Sequence, residues 1–309
     1  MAKLHRIPAS RVVLTSFLVD VLDVATSLII AILTGSVVMI VQVLQGISDL
    51  AASGFLVLGV RRANKPADIK HPFGHGREIY FWALLSALLT FGVTATLSFY
   101  LGLQRYLNPH NLHNLPLAYL VLGLTTLTNA YSFSLSAKRL LHETKFSELP
   151  KIFSQSPLIE TKTTLVLDLM GTSASLMGLI ALILYGITGD LKFDGLGAMI
   201  IGIALGAMAL LLLKSVNDLM IGKSASEAEA EKIREAAMEF PQVKNILDLR
   251  TLYLDPEKLM VNLEVHLKDN LTADEIEVLV DKIKESIKSK VENVHHIQVE
   301  LETPEPEKN

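Results

Sequence analysis

The chain has no cysteine among its 309 residues, which excludes both disulfides and thiolate metal ligands. Catalytic motifs are missing as well. There is no His-Glu-x-x-His, no nucleophile elbow and no P-loop, so neither an enzyme nor transport driven directly by ATP on this chain is expected. The net charge of −4 gives no indication of nucleic-acid binding.

Charge is scarce along most of the chain, which is half hydrophobic and has a mean hydropathy of +0.40. About 20 apolar residues suffice for a helix to cross a bilayer. Six runs of that length predict a membrane domain over residues 1–222 with six transmembrane helices. The runs are Val12–Leu33, Ser36–Val60, Ile79–Leu103, Leu117–Ala137, Thr163–Ile187 and Gly195–Leu213.

Basic residues are concentrated in two of the connecting loops. Five lie between the second and third runs and five between the fourth and fifth, whereas the opposite loops contain only Arg105 and Lys192. By the positive-inside rule, both termini are expected in the cytoplasm. Asp20 and Asp23 interrupt the first run, so we interpret it as a retained helix rather than a signal peptide.

Residues 223–302 have the pattern of a small soluble α+β domain with the order αββαβ. Ser226 and Thr272 each precede a glutamate by three residues, which is the capping box that opens a helix. Apolar residues alternate with polar ones from Val261 to Leu267, which predicts a strand with one buried face. Residues 303–309, rich in Pro and Glu, are predicted to be a disordered tail.

Two intramembrane acids carry the functional prediction. A carboxylate at membrane depth is costly and by default marks a functional group. Asp49 lies in the second run with Gln45 one turn earlier, and Asp168 lies in the fifth run with Thr164 one turn earlier. If these two helices pack together, four oxygen donors converge into a cation site. The alternative is that Gln45 and Thr164 only form hydrogen bonds between helices.

Three further acids can belong to an access or proton path. Asp20 and Asp23 share one face of the first helix, and Glu160 stacks below Thr164 and Asp168 at a spacing of four. They can extend the site, line a water-filled path or accept protons. Alternatively, Asp20 lies at the membrane interface in water.

The loop between the second and third runs contains Asp68, His71 and His75. Carboxylate and imidazole are usual zinc ligands, so this trio is a candidate metal site. Loop histidines that are merely solvated are the alternative.

Together these motifs resemble the cation diffusion facilitator family of proton-coupled divalent-metal exporters. The resemblance rests on Thr34-Gly35-Ser36 with Gln45–Asp49, on His71-Pro72-Phe73-Gly74-His75-Gly76-Arg77, and on Asp168 with Asp194-Gly195. It implies a homodimer, a tetrahedral transport site between the second and fifth helices, and metal export in exchange for protons. By position that site is Gln45, Asp49, Thr164 and Asp168, and the loop site is Asp68, His71 and His75.

Gln45 and Thr164 depart from the family pattern, which usually has His or Asp at these positions. A site made only of oxygen donors suits manganese and iron(II) better than one with imidazole, so we expect a broad divalent range that also includes zinc. Aligning the fifth helix on Gly178 instead would put Thr172 in the place of Asp168. A partner subunit that keeps the fold without transporting is the rival hypothesis. No cofactor is expected, and the expected location is the plasma (inner) membrane of a prokaryote.

Overall fold

Long apolar helices form the first of two structural units in the computed structural model, which describes residues 9–141, 145–156 and 158–303. These helices are α1 (Ala9–Thr34), α2 (Val37–Ala63), α3 (Glu78–Leu89), α4 (Thr96–Leu107), α5 (Leu115–Leu141), the short α6 (Leu149–Gln155), α7 (Ile159–Thr188) and α8 (Lys192–Ile221). A π-helix, Thr90–Ala95, joins α3 to α4 without a break.

Among the described residues, four helical segments are long and apolar enough to cross a membrane. They are Val37–Ala63, Glu78–Leu107, Thr161–Thr188 and Lys192–Ile221. Helices α1 and α5 coincide with the other two predicted runs and have 26 and 27 residues. At 1.5 Å per residue, each reaches about 40 Å, which exceeds the hydrocarbon thickness of a bilayer. The predicted class, a helical membrane domain followed by a small α+β domain, is confirmed.

Glycines let α4 and α8 pack backbone to backbone. A Cβ atom on Gly102 would lie 2.6 Å from the backbone nitrogen of Met199, and one on Gly195 would lie 2.5 Å from that of Tyr106. Any larger side chain at these positions would force the helices apart, so close packing of small residues fixes this helix pair.

The second unit contains the αββαβ order that the sequence predicts. It consists of α9 (Glu227–Met238), β1 (Val243–Asp255), β2 (Lys258–Leu267), α10 (Ala273–Lys290) and β3 (Val294–Leu301). Strand β2 lies in the centre of the sheet, antiparallel to β1 and parallel to β3. Both predicted capping boxes are formed, by Ser226 with Glu229 and by Thr272 with Glu275.

The core of this unit lies between the two helices and one face of the sheet. Val261, Leu263 and Val265 are fully buried there, as the alternating pattern predicts, and pack with Ile233 of α9 and Ile283 of α10. Residues 63–77, 155–156 and 158 group with residues 218–303 in this unit, rather than with the helices that they connect. The predicted boundaries at 222 and 302 stay predictions, and residues 304–309 of the predicted tail lie outside the described residues.

Candidate functional site

Helix α2 has a polar face at membrane depth. Gln45 is 3% exposed, and neither amide atom of its side chain has a hydrogen-bond partner among the described residues. One turn earlier, the buried Nε2 of Gln42 also lacks a partner within the described chain. Leaving such a group unsatisfied costs about 1–3 kcal/mol, so a buried amide without a partner needs an explanation. Coordination of a cation by the amide oxygen is one such explanation.

The two intramembrane carboxylates lie at similar depths on α2 and α7. The helices are in contact at Val38 and Gly178, since a Cβ atom on Gly178 would lie 2.6 Å from Val38 Cγ1. Asp49 is eleven residues from this contact along α2 and Asp168 ten residues along α7. At 1.5 Å per residue these are about 16.5 and 15 Å. Both side chains are half-buried.

The carboxylate of Asp168 is held by a neighbouring helix. Ser136 on α5 donates a hydrogen bond from Oγ to Asp168 Oδ2 at 2.6 Å. Thr172, the alternative position, donates its hydroxyl to the backbone carbonyl of Asp168 at 2.8 Å. Thr164 is exposed in the single chain.

Of the three acids predicted for an access path, Asp23 is the one whose side chain the structure describes. Asp23 is half-buried. The next residue, Val24, packs on α2, since a Cβ atom on Gly46 would lie 2.5 Å from Val24 Cγ2. Asp23 is thus at the depth of Gln45. The side chains of Asp20 and Glu160 lie outside the described residues.

A second contact of α2 at this depth involves the π-helix. Ser48 and Thr90 are both buried and their hydroxyl oxygens are 3.2 Å apart. Ser48 is the residue before Asp49. Short π-helical segments occur frequently at functional sites, and this one lies beside the candidate transport site.

A buried ion pair ties together the helix ends where α2 and α8 begin. Asp194 Oδ2 accepts from Arg105 Nε at 2.9 Å, and both side chains are at most 1% exposed. The same carboxylate accepts from Ser36 Oγ at 2.6 Å and from the backbone nitrogens of Val37 and Val38 at 2.9 and 3.1 Å. The Asp194 carboxylate therefore caps the first turn of α2 from another helix. Its negative charge also interacts favourably with the positive end of the α2 dipole.

The structure brings the three residues of the loop trio close together. The ligand atoms of Asp68, His71 and His75 all lie within 4.8 Å of one another. Asp68 Oδ1 lies 3.2 Å from His71 Nδ1, and Asp68 Oδ2 lies 3.1 Å from His75 Nε2. Gly74 makes the tight turn between the histidines with a φ of +85°, a conformation that favours glycine. The donor set suits zinc.

Hydrogen bonds fix the charge of the loop carboxylate. The backbone N–H of His71, followed by the side chain of His75, lowers the pKa of Asp68 from 3.8 to about 2. A depressed pKa contributes to loop stability in full above pH 3.8, and the contribution is lost as the pH falls through about 2. Asp68 is thus ionised throughout the range in which imidazoles ordinarily change charge.

Zinc binds imidazole in its neutral form, whereas Asp68 keeps its charge between pH 7.5 and pH 5, so a pH dependence of zinc binding at a site of this composition is not assigned to Asp68. We expect the zinc affinity of an Asp49→Asn/Asp168→Asn protein to fall between pH 7.5 and pH 5. Adding Asp68→Asn should lower the affinity by a similar factor at every pH in this range. Calorimetric titration measures both curves. Loss of the pH dependence on Asp68→Asn would contradict this assignment.

The loop that contains the trio packs on the sheet of its own unit. The Phe73 ring meets the His296 ring edge to face, with 5.7 Å between centroids. A Cβ atom on Gly76 would lie 2.3 Å from Asp255 Cβ at the β1–β2 turn. Arg77 donates to the backbone carbonyl of Met220. These contacts hold the trio against the soluble part of the chain.

Sequence reasoning missed three groups that the structure adds, Gln42, Ser136 and the Arg105–Asp194 pair. Only Gln42 had a signal, because it shares the helical face of Gln45 and Asp49 at a spacing of three and seven. The partners of Ser136 and Arg105 are 32 and 89 residues away in sequence, so no local pattern connects them.

Comparison with known proteins gives matches along nearly the whole chain. The family model described as "Cation efflux transmembrane domain" matches residues 13–220, and "Cation efflux protein, cytoplasmic domain" matches residues 225–304. The cation-efflux pump FieF of Cronobacter sakazakii is 25% identical over 257 residues, which cover 83% of this chain and 80% of the pump.

A second relative is the human protein described as "Proton-coupled zinc antiporter SLC30A9, mitochondrial". It is 24% identical over 257 residues, which cover 82% of this chain and 45% of that protein. The chain thus spans about half the length of the SLC30A9 relatives that it matches. A nickel form of the MamM CTD matches 26% of this chain and all of its own, with 21% identity and a TM-score of 0.24.

The two family models cover the helical part and the αββαβ part in the order in which the structure presents them. The chain belongs to the cation diffusion facilitator family, whose members are membrane transporters of metal cations.

Proposed function

We propose that this protein exports divalent transition-metal cations from the cytoplasm in exchange for protons, by alternating access around a site between α2 and α7. The observation that carries the proposal is the pair of carboxylates, Asp49 and Asp168, at matching depths on two helices of a cation-efflux domain. A dication in the membrane needs negative ligands, and a carboxylate there needs a cation or a proton. Either a bound metal cation or bound protons can therefore compensate the two carboxylates, which is what an exchange of metal for protons requires.

The proposed ligands are Gln45, Asp49, Thr164 and Asp168, with Asp20, Asp23 and Glu160 along an access or proton path. The unpartnered amide of Gln45 supports its place in this set. Asp68, His71 and His75 are proposed as a second metal site outside the membrane. The SLC30A9 relative is described as a proton-coupled antiporter, which supports the coupling; in this chain the coupling would have to use carboxylates in the membrane.

The substrate is proposed to be a broad divalent set that includes zinc, manganese and iron(II). Oxygen ligands discriminate less strongly for zinc than imidazole does. Gln45→His is expected to shift transport toward zinc over manganese by about tenfold, because one ligand becomes imidazole. Competition between the two metals for uptake into proteoliposomes measures the ratio. If the wild type is already zinc-selective and Gln45→His changes nothing, Gln45 does not bind the metal.

A homodimer is proposed from the cytoplasmic-domain match. Residues 224–309 contain a complete hydrophobic core and both helix caps, so this fragment should fold and self-associate. Sedimentation velocity at tens of micromolar should give a dimer. A strictly monomeric fragment would assign dimerisation to the membrane helices.

The proposed location is the plasma (inner) membrane of a prokaryote, with both termini in the cytoplasm. The basic loops and the FieF match support this proposal. Protease protection of tags at the two ends, in right-side-out and inverted vesicles, tests the orientation. Cleavage of both tags only in inverted vesicles is expected.

The rival function is a partner subunit that keeps the transporter fold, which the neutral side chains of Gln45 and Thr164 favour. Purified protein alone in liposomes distinguishes the two functions. Uptake of zinc, manganese, iron(II) or cobalt under an imposed proton gradient is expected if the protein transports. No uptake of any of the four would favour the subunit.

A further inference from the structure

Asp168 is held from α5, a helix that the predicted transport site does not include. The 2.6 Å hydrogen bond from Ser136 Oγ goes to one carboxylate oxygen, Oδ2, and Oδ1 lies outside this bond. An ionised carboxylate that accepts a hydroxyl proton at this distance forms a strong hydrogen bond. The direction of the second oxygen is then fixed as well.

The bond follows from the antiparallel packing of α5 and α7. Thr126 Oγ1 donates to Ser175 Oγ at 2.9 Å, and a Cβ atom on Gly171 would lie 2.7 Å from Asn129 Oδ1. From the Asn129–Gly171 level, Ser136 is about 10.5 Å along α5 and Asp168 about 4.5 Å along α7 in the same direction. The two backbones are therefore about one turn apart in depth.

The directions of the two side chains compensate for this difference in depth. Side chains on a helix lean toward its N-terminus. In antiparallel neighbours the two lean in opposite directions, so Ser136 and Asp168 lean toward each other. The hydrogen bond thus follows from where the two residues lie on their helices, and neither helix needs to move.

An apolar cluster lies on one side of the Ser136–Asp168 hydrogen bond. Ala137, next to Ser136, and Leu165, one turn before Asp168, are buried together with Leu140. These groups offer no hydrogen-bond donor to the carboxylate. In such surroundings a hydrogen bond is electrostatically stronger than in water.

We propose that Ser136 is a positioning residue of the transport site, which holds Asp168 Oδ2 so that Oδ1 faces the cation. The proposal rests on the proposed metal transport through Asp168 and adds a third helix, α5, to the site. Partners that orient a metal ligand typically change metal affinity by about 10–100-fold when they are removed. Ser136 is therefore expected to act on the apparent affinity for metal and not on the maximum rate.

The test measures initial rates of zinc uptake into proteoliposomes over a range of zinc concentrations. Ser136→Ala should raise the half-saturating zinc concentration by about tenfold and leave the maximum rate within about twofold of the wild type. Ser136→Thr keeps the hydroxyl and should restore the wild-type value. Ser136→Val, nearly the same size as threonine but without a hydroxyl, should behave like Ser136→Ala.

Ser134→Ala is the matched control. Ser134 lies two residues away on the same helix, is exposed and donates its hydroxyl to the carbonyl of Ala130 at 2.8 Å. It should transport like the wild type. An unchanged half-saturating concentration in both Ser136→Ala and Ser136→Val would overturn the proposal, as would a loss of maximum rate alone.

Zinc calorimetry separates this proposal from the proposed function. In a His75→Ala background, which removes the loop site, Ser136→Ala should weaken zinc binding by the same factor as in transport. If the wild type takes up no metal but this factor is found, the transport function is wrong and the positioning role stands. If the wild type transports and the factor is absent, the positioning role alone is wrong.

Discussion

Asp49→Asn and Asp168→Asn are each expected to reduce metal transport to background while the protein stays folded. Each substitution keeps the size of the side chain and removes one negative charge. A dication at membrane depth is then left partly uncompensated. Breaking a buried charge pair costs about 3–5 kcal/mol, which corresponds to a loss of affinity of roughly 10²-fold or more. Zinc uptake into proteoliposomes measures the effect.

The matched control is Asp190→Asn, the same substitution at an exposed aspartate between α7 and α8. Asp190 Oδ1 accepts from the backbone nitrogen of Lys192 at 3.0 Å, a bond that asparagine can keep. This variant should transport like the wild type. Uptake at the wild-type rate by either Asp49→Asn or Asp168→Asn would rule out that residue as an essential ligand.

Asp194→Ala is expected to destabilise the membrane domain strongly. It leaves the Arg105 guanidinium buried without its anion and removes the acceptor of Ser36 Oγ and of two backbone N–H groups. Removing one partner of a buried ion pair costs about 3–5 kcal/mol. Thermal unfolding in detergent, followed by the fluorescence of the single tryptophan, Trp82, measures the loss.

Asp190→Asn removes an exposed charge four residues earlier in the chain, can keep the hydrogen bond to the backbone nitrogen of Lys192, and serves as the comparison. Its unfolding temperature should stay close to that of the wild type. Arg105→Ala should resemble Asp194→Ala, because either change leaves a buried charge alone. If Asp194→Ala unfolded at the wild-type temperature, the cluster would not be what fixes the first turn of α2.

The elements that sequence reasoning located correctly carry local signals. Ser226 and Thr272 cap their helices as the spacing to glutamate predicts, and Val261–Leu267 is buried on alternate residues. Asp68, His71 and His75 come close together for a similar reason, because they lie within eight residues of one another. In each case the interacting residues are close in sequence.

What sequence reasoning missed depends on contacts between distant segments. Ser136 is one of several hydroxyl residues along α5, and only its position opposite Asp168 sets it apart. Arg105 could be read as a basic residue of an external loop, whereas it is buried against Asp194. The π-helix at Thr90–Ala95 contains Gly92 but no proline, and a single glycine in an apolar helix does not predict a π-helix. Intramembrane acids indicate a cation site, but not which helices complete it.

The most direct test of the transport mechanism is simultaneous measurement of metal and proton flux. Purified protein is placed in liposomes that contain a pH-sensitive dye and a zinc indicator, and zinc is added outside. We expect zinc entry to be accompanied by proton exit, and both signals to vanish together in the Asp49→Asn/Asp168→Asn protein. Zinc entry without any proton exit, or entry that persists in the double variant, would contradict proton-coupled exchange at a site between α2 and α7.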